Sequence, residues 1–165
     1  MRSLILASAL ALAFAAGAAL HGASAAGTDT GPAYTPSDAN AGAAPMADDG
    51  VYKAFHEKAG LDRITRHLVK TYKSDPRIKD IFAAADEARL QGLLSEQFCY
   101  ILGGPCHYSG RDMKQAHADM GLQTADFNAL VEDLEAAMDA EHVPVWAQNK
   151  LLAKLAPIKR DIVTR

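Results

Sequence analysis

Apolar residues recur at steps of three and four from Val51 onward, and no stretch alternates with the period of two that a strand requires. Residues 52–58 read as a short helix that Gly60 ends, and a longer helix starts near Leu61. There Leu61, Ile64, Leu68 and Tyr72 form one stripe, and Asp62 suits the positively polarised first turn. Asp75-Pro76 stops the helix because the residue before proline avoids helical geometry. Ile78, Ile81 and Phe82 make a small apolar knot. Asp86 is placed to cap a third helix with the inner stripe Leu90, Leu93, Leu94, Phe98, Ile101 and Leu102, which Gly103-Gly104-Pro105 breaks. Residues 106–111 lack periodicity and lead into a short helix over 113–120, closed by Gly121. Thr124 caps a further helix that turns Phe127, Leu130, Val131, Leu134 and Met138 inward. Pro144 opens the last one, where Val145, Leu152, Leu155 and Ile162 line one side and Pro157 should bend the axis by removing a donor. The class is all-α, with about five substantial helices.

Upstream of residue 51 the pattern changes twice. Met1-Arg2-Ser3 sets a positive charge before an apolar run from Leu4 to Leu20, and Ala23-Ser24-Ala25 has the small-x-small form of a signal-peptidase site. Residues 1–25 therefore read as a signal peptide rather than a retained anchor, since their Ala and Gly content makes them only weakly apolar. The expected destination is periplasmic or secreted. Residues 26–50 are rich in Gly, Ala, Pro, Thr, Ser and Asp and read as a disordered spacer, leaving residues 51–165 as the folded domain.

Charge narrows the partners. The 17 Lys and Arg against 20 Asp and Glu give a net charge of −3, and losing Arg2 with the leader lowers it further. No positive field exists to draw in nucleic acid, and no stable membrane association is expected once the leader is removed.

His117 stands out among candidate chemical groups. Met113, Ala116 and Met120 share its face at helical spacing, so an imidazole is carried beside an apolar surface. A flat, largely apolar haem would want such a wall, with one neutral nitrogen aimed at its iron; a satisfied surface or core histidine fits the local sequence as well.

The wider pattern separates these readings. Leu102-Gly103-Gly104-Pro105, then Tyr108-x-Gly110-x-x-Met113-x-x-x-His117, then Gly121-Leu122, resembles the group 1 truncated haemoglobins, as do Asp75-Pro76-Arg77 and Phe82 near the end of the second helix. The resemblance covers Val51 to about Val163. It implies a two-over-two helical sandwich around haem b, with His117 as the proximal ligand and Phe82, Phe98, Met113, Tyr108 and Leu122 as pocket walls. Plain core packing is the competing account of each wall. Arg111 or Lys114 could pair with the propionates.

The chain departs from that family on the distal side. Where well-known members carry a hydrogen-bonding Tyr and Gln, the matching positions are Val69 and Leu94, and Leu90 stands nearest the place where many globins carry a distal His. All three are apolar and none can donate. Bound dioxygen carries partial negative charge, so weak retention relative to carbon monoxide or nitric oxide is expected. Gln97, His67 and Tyr72 are the nearest alternative donors. The family's early Gly-Gly turn is Ala59-Gly60 here.

Cys99 and Cys106 flank the Gly103-Gly104-Pro105 break; a disulfide, a pair of thiols or a metal site with His107 are all open from sequence. The functional expectation is binding of diatomic gases (O2, NO, CO), for oxygen carriage or nitric oxide handling, with an electron donor as a further partner. A haem-free helical adaptor and a haem-based sensor are the rivals. Enzymatic turnover is not assigned.

Overall fold

The computed structural model describes residues 34–164, so the leader expected over residues 1–25 lies outside them. Every regular element among the described residues is helical. α1 spans Gly50–Ala54, α2 Glu57–Tyr72, α3 Glu87–Ile101, α4 Met113–Ala116, α5 Thr124–Ala140, α6 Val145–Leu155 and α7 Lys159–Ile162, with 3-10 turns at Asp38–Ala41 and Ala156–Ile158.

Local chemistry explains most boundaries. Asp86 accepts the Arg89 amide at 2.8 Å and starts α3 where its type and position predict. Pro157 lies in the 3-10 turn that separates α6 from α7. Three expectations are corrected. Gly60 does not end a helix: α2 begins at Glu57 and runs through it, and a Cβ there would lie 2.0 Å from the Phe55 carbonyl oxygen. Glycine at this position allows the close turn between α1 and α2. The cap of α5 is Gln123, whose amide donates to the Asp126 carboxylate at 2.9 Å, and Thr124 is the first helical residue. Val145 is 67% exposed beside an exposed Trp146, while Ala147, Gln148 and Leu151 face inward. A step of two residues turns an α-helix by about 200°, which carries Val145 to the face opposite Ala147.

α2 packs on α3 and α5, and α6 on α1, α3 and α5, so the pairs α2/α3 and α5/α6 form a two-over-two sandwich. Phe55, Leu61, Ile64, Leu68, Ile101, Leu102, Met138 and Leu151 are fully buried at its centre. Each such side chain contributes about 1.5–3 kcal/mol relative to exposure. No helix among the described residues is long and apolar enough to cross a membrane.

The disordered spacer expected over residues 26–50 does not hold for its described part. Ala41 is fully buried and its carbonyl accepts from Gln97, the Met46 amide donates to the Ile101 carbonyl at 2.9 Å, and Lys154 donates to the Ala44 carbonyl at 2.9 Å. Backbone groups, polar side chains and one small apolar side chain do the anchoring, so a segment poor in large apolar residues is nevertheless ordered.

Candidate functional site

α4 has only four residues, shorter than the 113–120 helix expected. Asp112 caps it by accepting the Gln115 amide at 2.8 Å. His117 follows as the residue that closes the helix, and the chain then turns away through Asp119 (φ 62°) and Gly121 (φ 65°). The left-handed conformation at Asp119 ends the helix before Met120, which is exposed.

The His117 ring is half-buried, and its Nδ1 lies 2.7 Å from the Met113 carbonyl oxygen. A carbonyl can only accept, so Nδ1 carries the proton and Nε2 keeps a lone pair with no hydrogen-bond partner among the described residues. Burial holds the imidazole below its ordinary pKa, partly opposed by the Met113 bond. A neutral ring, oriented through one nitrogen and open at the other, is the donor a metal ligand requires.

The other expected site residues divide by burial. Phe98, Tyr108, Met113 and Leu122 belong to the central apolar cluster, with Phe82 and Leu94 half-buried against it. Val69 is 1% exposed yet stands apart from that cluster, and Leu90 is half-buried. Leu93, Phe127 and Leu130 are also half-buried against the core, so several apolar surfaces are only partly covered by protein. The haem expected from the resemblance fits this donor set: one neutral imidazole among apolar walls. Tyr108 serves its own loop, since its hydroxyl donates to the Arg111 carbonyl at 3.2 Å and burial pushes its pKa up to about 12. A separate groove of about 370 Å³ between α5 and α6 contains none of the residues expected to touch the cofactor; Phe127, Val131, Leu152 and Leu155 are its apolar lining.

None of the alternative distal donors is directed to that role. The Tyr72 hydroxyl donates to the Leu130 carbonyl at 3.3 Å, and the tyrosine is buried. His67 is exposed. Gln97 is buried, and its Nε2 donates to the Ala41 carbonyl at 2.8 Å and to Met113 Sδ at 3.2 Å. It therefore serves the helix that precedes His117. The Ala41 contact was not legible from periodicity because that partner lies in the segment before residue 50.

Cys99 and Cys106 form a disulfide with Cα atoms 5.8 Å apart. His107 pairs with Asp38 at 2.9 Å, and no cluster of three or more His, Cys, Asp or Glu suited to a metal ion occurs among the described residues. Of the two cations considered for propionates, Arg111 lies 5.2 Å from the centre of the Tyr34 ring and Lys114 is exposed.

Residues 50–164 match the family model described as bacterial-like globin. A group 1 truncated hemoglobin of Synechocystis sp. is 33% identical over 125 residues, covering 70% of this chain and 98% of that protein. One from Tetrahymena pyriformis is 31% identical over 115 residues, covering 67% and 95%. Among solved structures, the truncated hemoglobin of Tetrahymena pyriformis in its Fe(III) form superposes with a TM-score of 0.67 at 24% identity, covering 70% of this chain and 98% of that one. The 2/2 hemoglobin of Synechococcus sp. does so with a TM-score of 0.65 at 21% identity and the same coverage.

Proposed function

Because this chain belongs to the bacterial-like globin family, whose cofactor is haem b and whose ligands are small gases, we propose that His117 is its proximal iron ligand and that its distal side binds diatomic gases without a hydrogen-bond donor. The observation that carries the ligand assignment is the His117 Nδ1 bond to the Met113 carbonyl at 2.7 Å, which leaves Nε2 available. A haem held by His117 would supply the iron that takes up a diatomic gas.

The residues of the chain divide the remaining work. His117 stays neutral through burial and is oriented by the Met113 carbonyl. Val69, Leu90 and Leu94 keep water out and offer no proton to a polarised ligand. Phe82, Phe98, Met113 and Leu122 supply apolar wall. Such a site favours ligands that need little stabilisation of charge and releases dioxygen quickly, which suits oxygen carriage or nitric oxide handling better than long retention of dioxygen. Peroxidase chemistry would need a distal acid or base that these side chains do not provide. Return of the iron to the ferrous state would draw on an external electron donor.

Export to the periplasm or the medium belongs to the same proposal. It is supported by the charged, apolar and small-x-small pattern of residues 1–25 and by the Cys99–Cys106 disulfide, which is at home in an oxidising compartment. Cell fractionation with mass analysis of the mature N-terminus tests it; an intact leader in cytosolic protein would overturn it.

One spectrum tests the central assignment. Purified or haem-reconstituted protein should show a Soret band that is lost or strongly altered in His117→Ala. A colourless preparation after reconstitution would overturn the haem reading and leave a helical adaptor in its place.

A further inference from the structure

α4 is too short to hold its own direction. Four residues form about one turn, and an isolated turn is unstable in water, so the direction of α4 must be imposed by what packs against it. His117 comes directly after that turn, and its ring is oriented by the carbonyl of Met113, the first residue of the turn. Whatever fixes Met113 therefore fixes the imidazole.

Two groups outside α4 grip the Met113 side chain. Gln97 reaches from α3 and divides the two protons of its Nε2 between Met113 Sδ at 3.2 Å and the Ala41 carbonyl at 2.8 Å. Gly42 is in the left-handed region at φ 84°, and a Cβ there would lie 2.8 Å from Met113 Cγ and 2.9 Å from Ile158 Cδ1. Only a residue without a side chain lets the backbone lie this close. The same segment holds the loop that leads into α4: Asn40 Nδ2 donates to the Gly110 carbonyl at 3.1 Å, and the Asp38 carboxylate accepts the Tyr108 amide at 2.7 Å. Residues 34–46 thus form a strap across the entry to α4, and they lie before the family-matched region, which begins at residue 50.

We propose that this strap, acting through Gln97, is a positioning device for the proximal ligand. Gln97 and Gly42 are positioning residues: they act on His117 through Met113. The inference rests on the assignment of His117 as the iron ligand, and its test separates the two.

The full-length chain is used with three variants. Gln97→Leu removes both donors, Gly42→Val forces the strap away from Met113, and Asn40→Ala is a milder loosening that spares the core. In the haem-free protein, hydrogen exchange should speed up at the amides of Ala116 and His117, which donate to the carbonyls of Asp112 and Met113. The amides of α2 should keep their protection. In the ferrous haem-loaded protein the iron–histidine stretching band should shift or split in the resonance Raman spectrum, and haem loss should become several-fold faster. Unchanged exchange at Ala116 and His117 in all three variants overturns the proposal, and so does acceleration spread equally over α2, which would mean general loss of stability. A wild-type protein with no iron–histidine band would instead remove the ligand assignment, while the exchange data would still decide whether the strap fixes α4.

Discussion

Tyr72 and Phe82 stack with ring centroids 4.8 Å apart and planes inclined by 18°, tying the last turn of α2 to the bend that follows it. The Tyr72 hydroxyl continues the link to α5 through the Leu130 carbonyl at 3.3 Å. Phe82, half-buried, is the member of the pair expected to meet haem. Phe82→Leu keeps apolar surface but loses the ring pair, and should cost about 1 kcal/mol in urea unfolding of the haem-free protein. Tyr72→Phe keeps the stack, loses only the hydroxyl bond, and should cost about 0.5–1.5 kcal/mol. Faster haem loss is expected in the first variant only; equal rates in both would argue that Phe82 is purely structural.

A donor placed on the distal side should change gas binding selectively. Leu94 is half-buried on α3 and stands where the resemblance places a hydrogen-bonding Gln. Leu94→Gln should slow dioxygen release about tenfold, corresponding to about 1.4 kcal/mol, and alter carbon monoxide release much less. Stopped-flow measurements read both rates. If dioxygen release from the wild type already proves very slow, the apolar account of the site is wrong.

Reduction should loosen the entry to α4. The Cys99–Cys106 bridge spans seven residues, and opening it should cost about 2 kcal/mol on loop-closure grounds. Denaturation with and without reductant measures this. Two thiols that titrate in untreated, native protein would show that the bridge is not formed.

The carboxylate of Asp133 sets a pH dependence. Asp133 is buried on α5, with Oδ1 3.5 Å from the Arg77 guanidinium and Oδ2 without a hydrogen-bond partner among the described residues. Arg77 is shared with Asp75 and Glu132, and the Tyr72 phenol, raised in pKa first by burial, is close enough for the charge of Asp133 to raise it further. Burial first, and the charge of Asp75 second, hold the Asp133 pKa above its ordinary value. The folded state therefore binds this proton more tightly than the unfolded chain. The associated stability is complete below the ordinary carboxylate range and is lost as pH rises through the raised value. Asp133→Asn should raise Tm at about pH 7 and have little effect at about pH 3; a calorimetric pH series showing the opposite order would sink the argument.

How far the sequence could be read varies with the kind of contact. The long helices were legible because burial on one face leaves a 3.6-residue period in the chain itself, as in Leu61, Ile64 and Leu68. Asp86 and Pro157 act within their own turn, so their roles follow from type and position. The side chain of Gln97 is a different case. Its position one turn after Leu94 fits a side chain directed to the pocket or to another part of the fold, and helical spacing cannot choose between them.

The sequence by itself determined the helical class, the main amphipathic faces and the candidacy of His117, since each depends on neighbours within a turn or on motif order. Tertiary structure alone decided that residues 34–46 are a strap, that Gln97 serves Met113, and that Val145 faces outward. The physical reason is the nature of the anchors. The strap is held by backbone groups, by the polar side chains of Asp38 and Asn40, and by a glycine that must lack a side chain, and such contacts leave no apolar periodicity to read.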